Sequence, residues 1–170
     1  YDSFEPGTMD HAAYGVKVLF DEGMIRRFLP DDKWDSIIYT AIAHHSDYEL
    51  PEISDPQTLL HAKLIRDEDK LDNCRVKLVD STSTFINVSE GELGTQNITQ
   101  KVYETVFENK CILSADRVTQ MDYWVSYIVY FFDINFKESF DIIAENDYLN
   151  RIIDRIPYSN PSTKKQMEKI

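Results

Sequence analysis

Cysteine is nearly absent: Cys74 and Cys111 are the only 2 in the chain. They are too few for a disulfide framework and lack the paired spacing of a zinc ribbon, so a reducing, cytoplasmic setting is expected. Glycine (5) and proline (6) are also scarce, and long apolar-periodic stretches separate them, which argues against a fold of many short strands and turns. No apolar run reaches the roughly 18 residues a membrane span needs. The nearest, Tyr123 to Phe132, is closed by Asp133, so no membrane partner is expected. Basic charge is short as well: Lys plus Arg is 18 against 30 for Asp plus Glu, a net charge of −12. Such a field repels a nucleic-acid backbone, which excludes a nucleic-acid polymer as the expected partner. The chain opens at Tyr1 with neither an initiator Met nor a charged-then-apolar leader. The expectation is therefore no signal peptide, and a segment lost upstream.

What is present is enough for a core. With 170 residues, 42% hydrophobic and 28% charged, the chain suits a single helical domain over 1–170 and is neither disordered nor collagenous. The periodicity predicts an all-α fold. A first helix is expected from an N-cap at Thr8 or Asp10, with Ala12, Val16, Leu19 and Phe20 on one face, interrupted at Gly23. A second opens on Asp31 and Asp32, repeats Trp34, Ile37, Ile38, Ala41 and Ile42, and stops near His45. After a loop over 46–54, Asp55-Pro56 pairs an N-cap with a proline at the first helical position. The third helix then turns Leu59, Leu60, Leu64, Ile65 and Leu71 inward and leaves Lys63, Arg66, Asp67 and Lys70 wet. The polar stretch Ser81 to Gly94 reads as a mobile excursion or lid. Helices follow over 98–107, 115–132, 137–145 and 148–156, and Pro161 starts a last solvated turn. The segment 115–132 is rich enough in aromatic and β-branched residues for a strand, but its length favours a helix.

The chemistry-bearing residues are few. Histidines stand at 11, 44, 45 and 61, and an acidic run, Asp67-Glu68-Asp69, lies on the third helix. Imidazole and carboxylate suit a divalent metal, and three convergent groups with an open position leave room for an activated water. His11 begins a helix with Gly15 at i+4 on its face, and His44 and His45 end one. Asp69 lies about 13 residues into its helix, roughly 20 Å along the axis, so simple antiparallel packing would strand it far from His45. The loop over 46–54 can span about 30 Å and allows another entry. Taken by spacing alone, a solvated acidic-basic face and ordinary surface or packed histidines, His61 among them, are the commoner outcomes.

Three segments shift that balance: Asp10-His11-Ala12-Ala13-Tyr14-Gly15-Val16, Ala41-Ile42-Ala43-His44-His45, and Leu64-Ile65-Arg66-Asp67-Glu68-Asp69-Lys70-Leu71-Asp72. In this order they resemble the later part of an HD-domain metal-dependent phosphohydrolase, over about 1–78, while 95–156 resembles only the additional C-terminal helices of bacterial members. The resemblance implies an HD-like helical bundle that hydrolyses phosphate esters, often nucleotides, with water or hydroxide on a divalent ion as the attacking group. It implies His11, His45 and Asp69 as metal ligands, with His44 the looser member of its pair, and Asp69 and Lys70 as catalytic. Lys70 and Arg66 would meet the substrate phosphate. The ion would be Mn, Fe, Co, Ni, Mg or Zn, the partner a small phosphorylated molecule or nucleotide; a homo-oligomer is compatible.

The family is named for a His-Asp doublet with an earlier His, and this sequence has neither the doublet nor a histidine before His11. Either an upstream segment supplies them, as the likeness of Tyr1 to Glu5 to the loop after the doublet suggests, or the chain is a degenerate helical binding or scaffold module without catalysis.

Overall fold

The structure, a computed structural model, describes residues 10–170. The alternative first N-cap, Thr8, and the loop resemblance of Tyr1 to Glu5 lie outside the described residues. The fold is all-α, 65% helical, with no strand among the described residues. No helix among them is long and apolar enough to cross a membrane.

The chain gathers into two compact units, Tyr1–Asp69 and Lys70–Ile170. In the first, Asp10 caps α1 (His11–Val16), its carboxylate accepting from Ala13 N at 3.0 Å. A wide π turn over Lys17–Asp21 and a left-handed Gly23 (φ 73°) then end the run, as expected for the residue that tolerates that conformation. Helix α2 (Asp35–Ala43) begins later than its acids suggest. Asp31 and Asp32 lie in the preceding turn, where the Asp31 carbonyl accepts from Arg26, whose guanidinium also pairs with Asp35. Small residues bring α1 and α2 together: a Cβ on Gly15 would lie 3.5 Å from Ile42 Cγ2, and Ala12, Val16 and Ala41 are buried.

Helix α3 (Pro56–Val79) starts where Asp55-Pro56 places it. The Asp55 carboxylate accepts from both Thr58 N and Thr58 Oγ1 at 2.7 Å, and these bonds hold its pKa below the usual carboxylate value. Its expected faces need correction. Leu60 and Leu64, assigned inward, are exposed at 51% and 46%, while Arg66, Asp67 and Lys70, assigned to water, are buried. Long cationic side chains bury when fixed acceptors meet their heads, and hydropathy does not see acceptors.

The second unit holds the larger core, built on Trp124, Met121, Val125, Val102, Leu93 and Ile152. After α3 come α4 (Thr82–Ile86), α5 (Glu90–Leu93), α6 (Gln100–Val106), α7 (Gln120–Ile128), α8 (Lys137–Glu145), α9 (Tyr148–Asp154) and α10 (Pro161–Met167). The stretch read as a lid is two short helices. Thr82, Ile86 and Leu93 are buried in them, and Ser89 and Glu92 form a reciprocal capping box. The apolar run ending at Phe132 is helix as expected, continued by a 3-10 turn over Val129–Asp133, and most of it is core. Its start is tied by Asp122, which is fully buried and accepts from Thr99 N, Val118 N and Thr119 N at 2.8, 3.0 and 3.0 Å. The last turn is not solvated either: Asn160 caps α10, and Thr163 and Met167 are buried.

Arg155 closes the end of α3. It pairs with Glu90 and donates to the carbonyls of Lys77 and Asp80. Gly94 lies so close to Pro157 that a Cβ would collide with the proline carbonyl, and its own carbonyl accepts from Ser159 N and Asn160 N at 3.0 Å.

Candidate functional site

His11 and His45, 34 residues apart, meet in the first unit with their Nε2 atoms 2.9 Å apart and ring centroids at 4.8 Å. The Asp10 cap sets His11 at the start of α1, and Gly15 faces Ile42 where α1 packs on α2. His45 lies just beyond the C-terminus of α2, its Nδ1 2.7 Å from the Ile42 carbonyl. A carbonyl oxygen only accepts, so Nδ1 carries the proton and the Nε2 lone pair of neutral His45 faces His11. That is the arrangement in which metal-binding histidines are commonly fixed.

His44 is oriented by a similar contact, its Nδ1 2.6 Å from Asp47 Oδ2. The carboxylate accepts, which again leaves Nε2 as the outward nitrogen. Asp47 was not among the residues singled out from the sequence; its i+3 spacing from His44 beyond a helix end was the available signal. Asp69 is half-buried on α3. Among the described residues no group of three or more His, Cys, Asp or Glu is arranged to hold an ion. Of the ligand set, the structure brings His11 and His45 together.

The basic residues are engaged. The Arg66 guanidinium, assigned by the resemblance to substrate phosphate, reaches the end of α2. Its Nη1 donates to the carbonyls of Asp47 at 2.7 Å, His44 at 3.0 Å and His45 at 3.3 Å, and Nη2 to Tyr48 at 3.4 Å. This position corrects the wet-face assignment and makes Arg66 a side-chain clamp on the turn after α2 that bears both histidines. Lys70 Nζ lies 2.7 Å from Asp133 Oδ2 within the second unit. Asp67, 1% exposed, is the acid that the wet-face reading placed wrongly in water.

An open apolar groove of about 300 Å³ runs along α2 and α3 in the first unit, lined by Ile37, Ile38 and Ile42 on one side and His61, Leu64 and Ile65 on the other. His61, expected as a packed residue, is exposed there. No family model, curated protein or solved structure matches the chain.

Proposed function

We propose that the chain belongs to a metal-dependent hydrolase of phosphate esters of the HD type, acting on a small phosphorylated molecule or nucleotide in the cytoplasm. The observation that carries this reading is the 2.9 Å approach of His11 Nε2 and His45 Nε2. Two imidazole nitrogens each about 2.1 Å from one ion and at right angles across it lie about 3.0 Å apart. The 2.9 Å separation is a hydrogen bond between the rings, His11 Nε2–H donating to His45 Nε2. With the His11 proton moved to its Nδ1, the spacing is compatible with a shared divalent cation, and the Ile42 carbonyl holds His45 in the tautomer such a cation requires. A bound divalent ion supplies a Lewis acid and lowers the pKa of water. The chain's own part is to hold the two nitrogens, with Arg66 fixing the backbone that carries one of them. Asp69, with His44 as the looser candidate, would complete the set.

A binding or scaffold module without catalysis is the second reading. It is favoured by the engagement of the two cations the resemblance gave to the phosphate: Arg66 is spent on backbone carbonyls and Lys70 on Asp133.

Metal content and titration with Mn, Co, Ni, Zn and Mg, followed by a panel of phosphomonoesters and nucleotides, separate these readings. The hydrolase reading expects one or two ions per full-length chain, turnover, and at least a tenfold loss of ion affinity in His11→Ala and in His45→Ala, a loss of the order seen when ligand shells are disturbed. Ion binding without turnover would leave the module reading. No ion bound by the full-length protein would overturn the hydrolase.

A further inference from the structure

The second unit carries a cavity of about 330 Å³ that nothing in the preceding reading uses. We propose that it binds an uncharged, flat heteroaromatic compound of the nucleobase kind. The ring would lie against phenylalanine, and the carboxamides of Asn109 and Asn150 would hold its polar edge.

The cavity opens between the end of α6, the 3-10 turn that follows α7, and α9. Its volume is within the range of small-molecule sites, and its make-up is theirs too, apolar walls with a few polar groups. The floor includes Val106 and Val129, both buried. Three phenylalanines line it: Phe131 and Phe132, with ring centroids 4.1 Å apart, and Phe107, which is 54% exposed to water at the mouth. The Phe107 ring packs edge-on against Tyr103 with centroids 5.2 Å apart, and the part still in water beside the apolar hollow gains from a flat ligand that covers it. Among the described residues, no side chain lining the cavity is charged, so an anion such as free phosphate finds no counter-charge there, and the occupant is neutral.

The polar edge is specific. Asn109 holds the left-handed conformation (φ 56°), which fixes where its side chain starts. Asn150 already donates from Nδ2 to Asp147 Oδ1 at 2.6 Å, which orients the carboxamide and leaves Oδ1 as an acceptor. A carboxamide offers donor and acceptor side by side, and the edges of nucleobases present the complementary pair. A purely aliphatic occupant would draw nothing from either carboxamide. The inference stands apart from the metal reading, since it uses no residue of the first unit.

The test is titration of the whole chain with adenosine, uridine, toluene and inorganic phosphate, followed by calorimetry and ligand-observed NMR. At least one nucleoside is expected to saturate a single site, with phosphate not binding. Phe107→Ala and Asn150→Ala, both changes at exposed positions, are each expected to weaken it about 3- to 10-fold, the loss of roughly one net contact. Toluene affinity should be unchanged in Asn150→Ala. Thermal melts of both variants confirm that they fold, and direct chemical-shift mapping on the unaltered chain gives a reading that needs no variant. The proposal is overturned by no saturation with either nucleoside at millimolar concentration, by toluene binding as tightly as the nucleosides, or by shifts that map elsewhere. Self-association lost in Phe107→Ala would likewise overturn it, by making a second copy the occupant.

Discussion

Replacing Arg66 by Met keeps an unbranched apolar stem and removes the guanidinium, and with it the bonds at the end of α2. Hydrogen bonds from a charged donor contribute about 1.5–3 kcal/mol each. Two of the four are 3.0 Å or shorter, those to Asp47 and His44. Together they give about 3–6 kcal/mol, and the carbonyls left behind are neutral and partly reached by water, which places the net loss toward the lower end. A loss of about 3–4 kcal/mol is expected, a large share of a typical domain's 5–15 kcal/mol. Arg66→Lys, which keeps the charge but reaches fewer carbonyls, should lose about half as much. The assay is already in the sequence: the 2 tryptophans, Trp34 and Trp124, lie one in each compact unit. Urea unfolding read from Trp34 in a Trp124→Phe background should shift its midpoint by about 1.5–2 M for a slope near 2 kcal/mol/M. Because Arg66 holds the His44 and His45 carbonyls, ion affinity should fall with it. A midpoint within about 0.3 M of the parent would refute the clamp argument, and equal behaviour of Met and Lys variants would refute its dependence on geometry.

Gly94→Ala forces a methyl group into the Pro157 carbonyl and should cost about 1–3 kcal/mol, as overpacking does, read from the Trp124 transition. Asp122→Asn should be nearly as damaging as Asp122→Ala, about 3–5 kcal/mol, because an amide nitrogen would face either Thr99 N or the pair Val118 N and Thr119 N; a mild Asn variant would show that charge, not acceptor count, matters there. Burial pushes the Cys74 thiol up to about 11. Its folded pKa is thus above the unfolded value, so the contribution is intact below the unfolded pKa and stability falls as pH rises from about 9 toward 11. Native-state labelling at pH 8 should modify the half-buried Cys111 and spare Cys74, and fast labelling of Cys74 would contradict its burial.

Helix α8 runs over the residues its apolar spacing marks, and α3 starts where Asp55-Pro56 sets it, because caps and prolines act on their immediate neighbours. The meeting of His11 with His45 was reachable only through the resemblance, since nothing local joins positions 34 apart. What escaped the sequence is a class of contact: Arg66, Lys70 and Arg155 each bury a charge against an acceptor distant along the chain. A polarity pattern scores such residues as surface. The two short helices between 82 and 93 escaped for a related reason, since Ser89, Thr82 and Glu92 look turn-forming but serve as caps and buried donors.

The dependence of α3 on Arg155 has a consequence in time. The Lys77 carbonyl and its partner guanidinium are separated by 78 residues, and a ribosome adding about 5–20 residues per second needs roughly 4–16 s to make that interval. Throughout it the nascent helix lacks its terminal clasp and frays, so a chaperone or protease scanning the emerging polypeptide meets an open end there until Arg155 has been synthesised.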